Sequence, residues 1–164
     1  MQRPPRPRSE RLLNRRTLGR VYGFVGLIVG AAGMAAFLGS YVLAGWRPGE
    51  PLPDAGSVYI QATAMTYAGI VAGQVGAGFA FRTARESLLR VGVFSNRFLL
   101  VGVAFEIVLL LAIIYVGPLQ DVFHTRAIDP LAWPLLACVP FLVVAAEEAR
   151  KAAFRRWVWK EAQP

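Results

Sequence analysis

Few residues in this chain are of a type that does chemistry, and two of them stand inside long apolar runs. Gln74 lies in "AGIVAGQVGAGFAF", among glycines and alanines, and Glu106 lies in "FLLVGVAFEIVLLLAIIYVG". A polar side chain at such a place can be a binding group. It can equally hydrogen-bond a neighbouring helix, an interaction worth roughly 0.6 to 2 kcal/mol in a membrane. A carboxylate within an apolar span is costly and should face protein or water, so Glu106 is a functional candidate by default, with a protonated, hydrogen-bonded side chain as the plainer alternative. A third group is Glu147, Glu148, Arg150 and Lys151, where Glu147 and Lys151 form an i,i+4 pair in the favourable order. His124 has no partner at metal-ligand spacing, and Cys138, the single cysteine, cannot form an intrachain disulfide and reads as structural. Nothing assembles a nucleophile, base and substrate pocket.

The elements that must position these groups are apolar. The chain has 164 residues, 55% hydrophobic and 17% charged, with a mean hydropathy of +0.45. A soluble domain carries about 25% charged residues. Four apolar runs, roughly 21–45, 57–81, 98–117 and 131–149, each have the length that crosses a hydrocarbon core of about 30 Å as a helix. Backbone groups in lipid must be paired within their own segment. The expected fold is therefore an all-α membrane protein, four transmembrane helices arranged as two hairpins.

The net charge of +8 is a topology signal. Seven arginines precede the first run, Arg82, Arg85, Arg90 and Arg97 lie between the second and third, and Arg150, Lys151, Arg155, Arg156 and Lys160 follow the fourth. Only Arg47 and Arg126 fall in the two other loops. The positive-inside rule puts both termini and the central loop in the cytoplasm, where the basic residues can also meet anionic lipid. No module that stacks bases or reads a groove is visible, so nucleic acid is not an expected partner. Arg15-Arg16 resembles an export signal, but signal cores are about 7 to 15 residues and this run is far longer, so it should stay as an anchor.

Residues 1–20 are Pro- and Arg-rich and read as a basic cytoplasmic arm; residues 21–157 form one membrane domain, and 158–164 a tail. Gly26-x-x-x-Gly30 in the first run and Gly69-x-x-x-Gly73 with Gly76 in the second are small-residue stripes that admit close helix approach. Thr63, Thr66 and Tyr67 on the second run read as packing residues. Pro140 should kink the fourth helix. Trp157 and Trp159 close an amphipathic extension suited to the headgroup region.

Several separated phrases then give a likeness. "QATAMTYAGIVAGQVGAGFAFRTARESLLRVGVFSNRFLL", "YVGPLQDVFHTRAIDPLAW" and "AEEARKAAFRR" resemble the C-terminal membrane region of cation-transporting P-type ATPases, the seventh to tenth of ten helices. "MQRPPRPRSERLL" looks like the cytoplasmic link after the sixth helix, so Met1 would correspond to an internal position of a longer pump. The resemblance implies that Gln74 stands where calcium pumps carry an acidic ion ligand on the eighth helix. Glu106 stands near acidic residues on the ninth helix of some sodium-pumping relatives.

The family's Asp-Lys-Thr-Gly-Thr motif does not occur in the chain, and no glycine-rich phosphate loop replaces it. On this reading the chain is not an enzyme on its own and holds no cofactor; ATP and Mg²⁺ would belong to the missing core. The leading expectation is a fragment or split subunit of a pump, embedded in the bilayer of a bacterial plasma membrane, with the remaining six helices and cytoplasmic part as partner. The alternatives are a free-standing scaffold or pump regulator held by helix packing, and a relic without activity.

Overall fold

The computed structural model describes residues 18–83 and 86–161, with side chains as far as residue 155. The arm over 1–17, Arg85, the last residues of the tail, and the side chains of Trp157 and Trp159 lie outside the described set.

Among the described residues all regular structure is helical. The first helix, α1 (Gly19–Leu43), opens with wide π turns over Gly19–Gly26 and continues as α-helix over Leu27–Leu43. It ends where Gly45 takes φ +94°. The Gly45 amide then donates to Val42 O at 3.0 Å and the Trp46 amide to Tyr41 O at 2.9 Å. This is the Schellman pattern that satisfies the last carbonyls of a helix. The following loop is held by the Tyr41 hydroxyl, which donates to Pro53 O at 2.6 Å.

The second helix, α2 (Ser57–Ala80), is the middle of the bundle. It packs along α1 on one side and along the last long helix on the other, and more lightly on the helix between. Its buried residues are nearly all small: Ala62, Ala64, Ala68, Gly69, Gly73, Gly76 and Ala80, with Met65. A short turn, α3 (Leu88–Val91), crosses the connecting loop, capped by Ser87. The next helix, α4 (Arg97–Tyr115), starts at Asn96, whose side chain accepts from the Leu99 amide at 3.2 Å. The short α5 (Gly117–Phe123) has Pro118 in its first turn, and His124 takes a left-handed φ of 52° after it. Asp129 caps a 3₁₀ turn over Pro130–Ala132 that leads into α6 (Trp133–Glu161), which runs α-helically on both sides of Pro140.

Three of these helices are long and apolar enough to cross a membrane: Gly19–Leu43, Arg97–Tyr115 and Pro130–Arg155. The 24 residues of α2 would extend about 36 Å, but they include Gln61, Thr63, Thr66 and Gln74 and many glycines, which lower the segment's hydropathy. The middle position explains this composition. A helix with neighbours on several sides meets little hydrocarbon, and small residues let those neighbours approach.

The core is correspondingly lean. Ala36, Ala64, Met65, Ala68, Leu110, Ile114, Ile128, Ala132 and Leu136 form one buried cluster, with Val71 and Trp133 against it. Large apolar side chains are mostly outside: on α4, Phe98 is 91% exposed and Val101, Phe105 and Val108 are also exposed, while only Leu110 and Ile114 are buried. In water such a surface would be an aggregation site; in a bilayer it is the lipid face.

Candidate functional site

The site residues expected from the sequence fall on two surfaces of α2, on α1, on α4 and at one end of the bundle. The packed surface of α2 is made by glycines. A Cβ on Gly69 would lie 3.2 Å from Ala36 Cβ and 3.3 Å from Ala32 O, and one on Gly73 would lie 2.9 Å from both methyls of Val29. One on Gly76 would lie 2.7 Å from Pro140 O and 2.8 Å from Pro140 Cα. The closest approach of α2 to α6 thus falls at the proline of α6. On α1 the residue meeting α2 is Gly33, whose Cβ would sit 3.0 Å from Ile70 Cγ1, while Gly30 faces open space and Gly26 meets only Val21 O of its own helix, at 3.3 Å. The expected stripe of α2 turns inward, and a Cβ on Gly30 would meet no described atom within 4 Å. The series Val29, Gly33, Ala36 and Ser40, on one helical face, was the sequence signal for the inward side of α1.

Gln74 is on the other surface. It is exposed, and it makes no hydrogen bond among the described residues. At about 100° per residue, Thr63, Tyr67 and Gln74 fall within about 40° around α2. Tyr67 is 42% exposed, and Tyr59, at the edge of this stripe, 40%. Thr63 donates back to Tyr59 O at 3.0 Å. The residues read as packing thus divide: Thr66 turns to Ala62 O at 2.9 Å, and Tyr67 joins Gln74 on a polar stripe left exposed among the described residues. Glu106 is half-buried on α4, without a hydrogen bond or ion pair among the described residues. No group of three or more metal-capable side chains occurs there. Cys138 and His124 are both exposed.

The charged residues at the far end of α6 make a buried cluster. Glu147 is fully buried and Lys151 is 1% exposed. Arg150 binds Glu147 through both Nε and Nη2, at 2.9 and 2.7 Å. Arg20, at the start of α1, closes on the same carboxylate. Arg20 also donates to Thr83 O at 3.3 Å and lies 5.1 Å over the Phe81 ring. Lys151 donates to Ala80 O, Thr83 Oγ1 and Glu148 Oε1, each at 3.0 Å, and Glu148 Oε1 accepts the Leu88 amide at 3.0 Å. The i,i+4 pair of Glu147 with Lys151 does not form. Two i,i+3 pairs replace it, because Arg20 and Arg150 claim Glu147, and Lys151 satisfies the carbonyl end of α2. A cation there complements both the orphan carbonyls and the helix dipole. The cluster joins α1, α2, α3 and α6, and Arg20 as a partner was not legible in the sequence: a separation of more than a hundred residues leaves no local pattern.

A lean bundle with a lipid face, a glycine-packed centre and an exposed polar stripe defines an integral membrane helical module. Residues 1–153 match the family "Cation transporting ATPase, C-terminus", and the chain belongs to that family. It is 27% identical to the Calcium-transporting ATPase type 2C member 2 of Mus musculus over 92% of this chain and 15% of that protein. It is 30% identical to Calcium-transporting ATPase 1 of Schizosaccharomyces pombe over 95% of this chain and 16% of that protein. The chain thus spans about one sixth of the length of these relatives. The matched region is the C-terminal membrane part of such pumps, which does not include their catalytic domains.

Proposed function

We propose that this chain serves as the C-terminal membrane bundle of a cation pump and works by seating the polar stripe of α2 against the pump's remaining helices. The observation that carries this reading is the exposure of Gln74 and Tyr67, with half-buried Thr63 between them and Tyr59, on one face of a helix whose other faces are packed. An amide held against hydrocarbon loses its hydrogen bonds, a cost of at least about 1 to 3 kcal/mol. A protein surface with polar groups or a hydrated path removes that cost.

In this arrangement α2 is the fourth crossing segment. The bundle is two hairpins, α1 with α2 and α4 with α6, and the basic ends and central loop face the cytoplasm of a bacterial cell. Gln74 contributes an amide oxygen at or beside the ion path, and Glu106 is a second, independent polar contributor. The catalytic core, with its ATP and Mg²⁺, belongs to the remainder of the pump on whichever polypeptide carries it. A stand-alone scaffold is the second reading, and open space at Gly30 is the feature that supports it.

A pull-down of the tagged chain from native membranes in mild detergent separates them. The expected eluate contains, in fixed ratio, a catalytic portion that forms an acid-stable aspartyl phosphate from ATP. A defined homo-oligomer that forms no such phosphoenzyme would overturn the pump reading and leave the scaffold.

A further inference from the structure

Between α2 and α4, the described turn over residues 86–96 is built more firmly than a connection needs to be. Arg82, just after α2, donates through Nη1 to Gly92 O and Val93 O, both at 2.7 Å, and through Nη2 to Ser95 Oγ at 2.6 Å. The Ser95 hydroxyl in turn lies 3.1 Å from Val91 O and 3.0 Å from Gly92 O. Leu88 is 4% exposed, and its amide is held by Glu148. Gly92, at φ +86°, makes the reversal that brings these carbonyls to the guanidinium. A short turn is thus fixed to α2 at one end and to α6 at the other.

The outer side of this turn is apolar and cationic together. Leu89 is 81% exposed, Phe94 75% and Phe98 91%. Arg90 and Arg97 are exposed and make no hydrogen bond or ion pair among the described residues. Phe98 also begins the exposed face of α4 that continues through Val101, Phe105 and Val108, so the apolar surface of the turn runs on from the lipid face of a span. At the end of a span such a surface enters the headgroup layer, where apolar side chains reach the acyl boundary and arginines meet phosphates. Two guanidinium groups without a partner among the described residues, beside exposed apolar rings, select for negative charge.

We infer that the turn carrying Leu89, Arg90, Phe94, Arg97 and Phe98 is a preformed anchor for anionic phospholipid headgroups at that membrane surface. Arg82 does not touch the lipid; it holds the turn in shape, so ordering the loop costs nothing when the headgroup arrives. The inference rests on the chain lying in a bilayer and is independent of any docking to a pump.

The test uses full-length protein carrying Phe94→Trp, reconstituted in phosphatidylcholine vesicles doped with brominated phosphatidylglycerol or, at the same fraction, brominated phosphatidylcholine. The quenching of wild type, which has four tryptophans, is subtracted. Brominated phosphatidylglycerol should be enriched at the site about fivefold or more, the factor expected when one of the arginines engages a headgroup. The enrichment should disappear in Arg90→Gln/Arg97→Gln and shrink in high salt. Leu89→Trp, at a second exposed position, repeats the reading should Phe94→Trp fail to fold. Equal quenching by the two lipids, quenching by neither, or a preference that survives Arg90→Gln/Arg97→Gln would each overturn the proposal.

Discussion

Glycines 73 and 76 look alike in the sequence and differ in what stands against them. A methyl at position 73 meets the methyls of Val29, and one at 76 meets the backbone of α6 at Pro140. A side chain can shift by rotation or a small helix movement, but a carbonyl moves only with its helix. Gly76→Ala should therefore lower the melting temperature in detergent by more than Gly73→Ala, and Gly30→Ala, which meets open space, should leave it unchanged; a flat series would mean that α2 and α6 do not approach so closely. Gln74→Leu separates folding from function at the same scale. Its side chain faces outward, so the isolated bundle should keep its stability, while recovery of phosphoenzyme with the tagged chain should fall severalfold. A loss of stability with unchanged recovery would show that the amide is internal glue.

At the scale of elements, the cluster at the end of α6 joins helices that are otherwise bound by weak dispersion contacts between small residues. Removing one partner of a buried charge pair costs roughly 3–5 kcal/mol, because the other charge is left unpaired. Lys151→Met would leave the carbonyl end of α2 and the partly exposed Glu148 without their cation and should destabilise by about 1–3 kcal/mol, with α6 and the turn α3 loosening first. Hydrogen exchange at the Leu88 amide, which Glu148 holds, reports this directly: protection should drop there before it drops at Ala64 or Ala68 in the core. Unchanged protection at Leu88 would show that the turn is held by Arg82 alone. Asn96→Ala tests a simpler device. Loss of that cap should cost α4 about 1 kcal/mol, read as faster exchange over its first turn.

The whole molecule has its largest apolar side chains outside and its smallest at the centre, the reverse of a soluble domain. Lipid gives no hydrophobic drive to bury leucine, so cohesion comes from close backbone approach and from polar contacts at the ends. In this arrangement the two loops 44–56 and 124–129 should lie on one side of the membrane and the turn 86–96 on the other. Single cysteines at exposed Arg47 and Arg90, in a Cys138→Ala background, should react with an impermeant maleimide from opposite faces of sealed vesicles. Labelling of both from the same face would rule out the two-hairpin arrangement and leave α2 as a segment that does not cross.

The sequence alone determined that this chain is helical and built for lipid, because span length and charge exclusion act within each segment and need no partner. It also carried the family likeness, since "ESLLR", "FSNR" and "EEARK" are local strings. It marked Gln74 and the α2 glycines as unusual residues for the same reason. Only the tertiary structure decided which way each of them points: Gly33 inward in place of Gly30, Gln74 outward, Glu147 to Arg20 rather than to Lys151. Helical period fixes which residues share a face, but which face meets a neighbour depends on how several helices fill one bundle. A charge pair separated by most of the chain is settled only when that bundle closes.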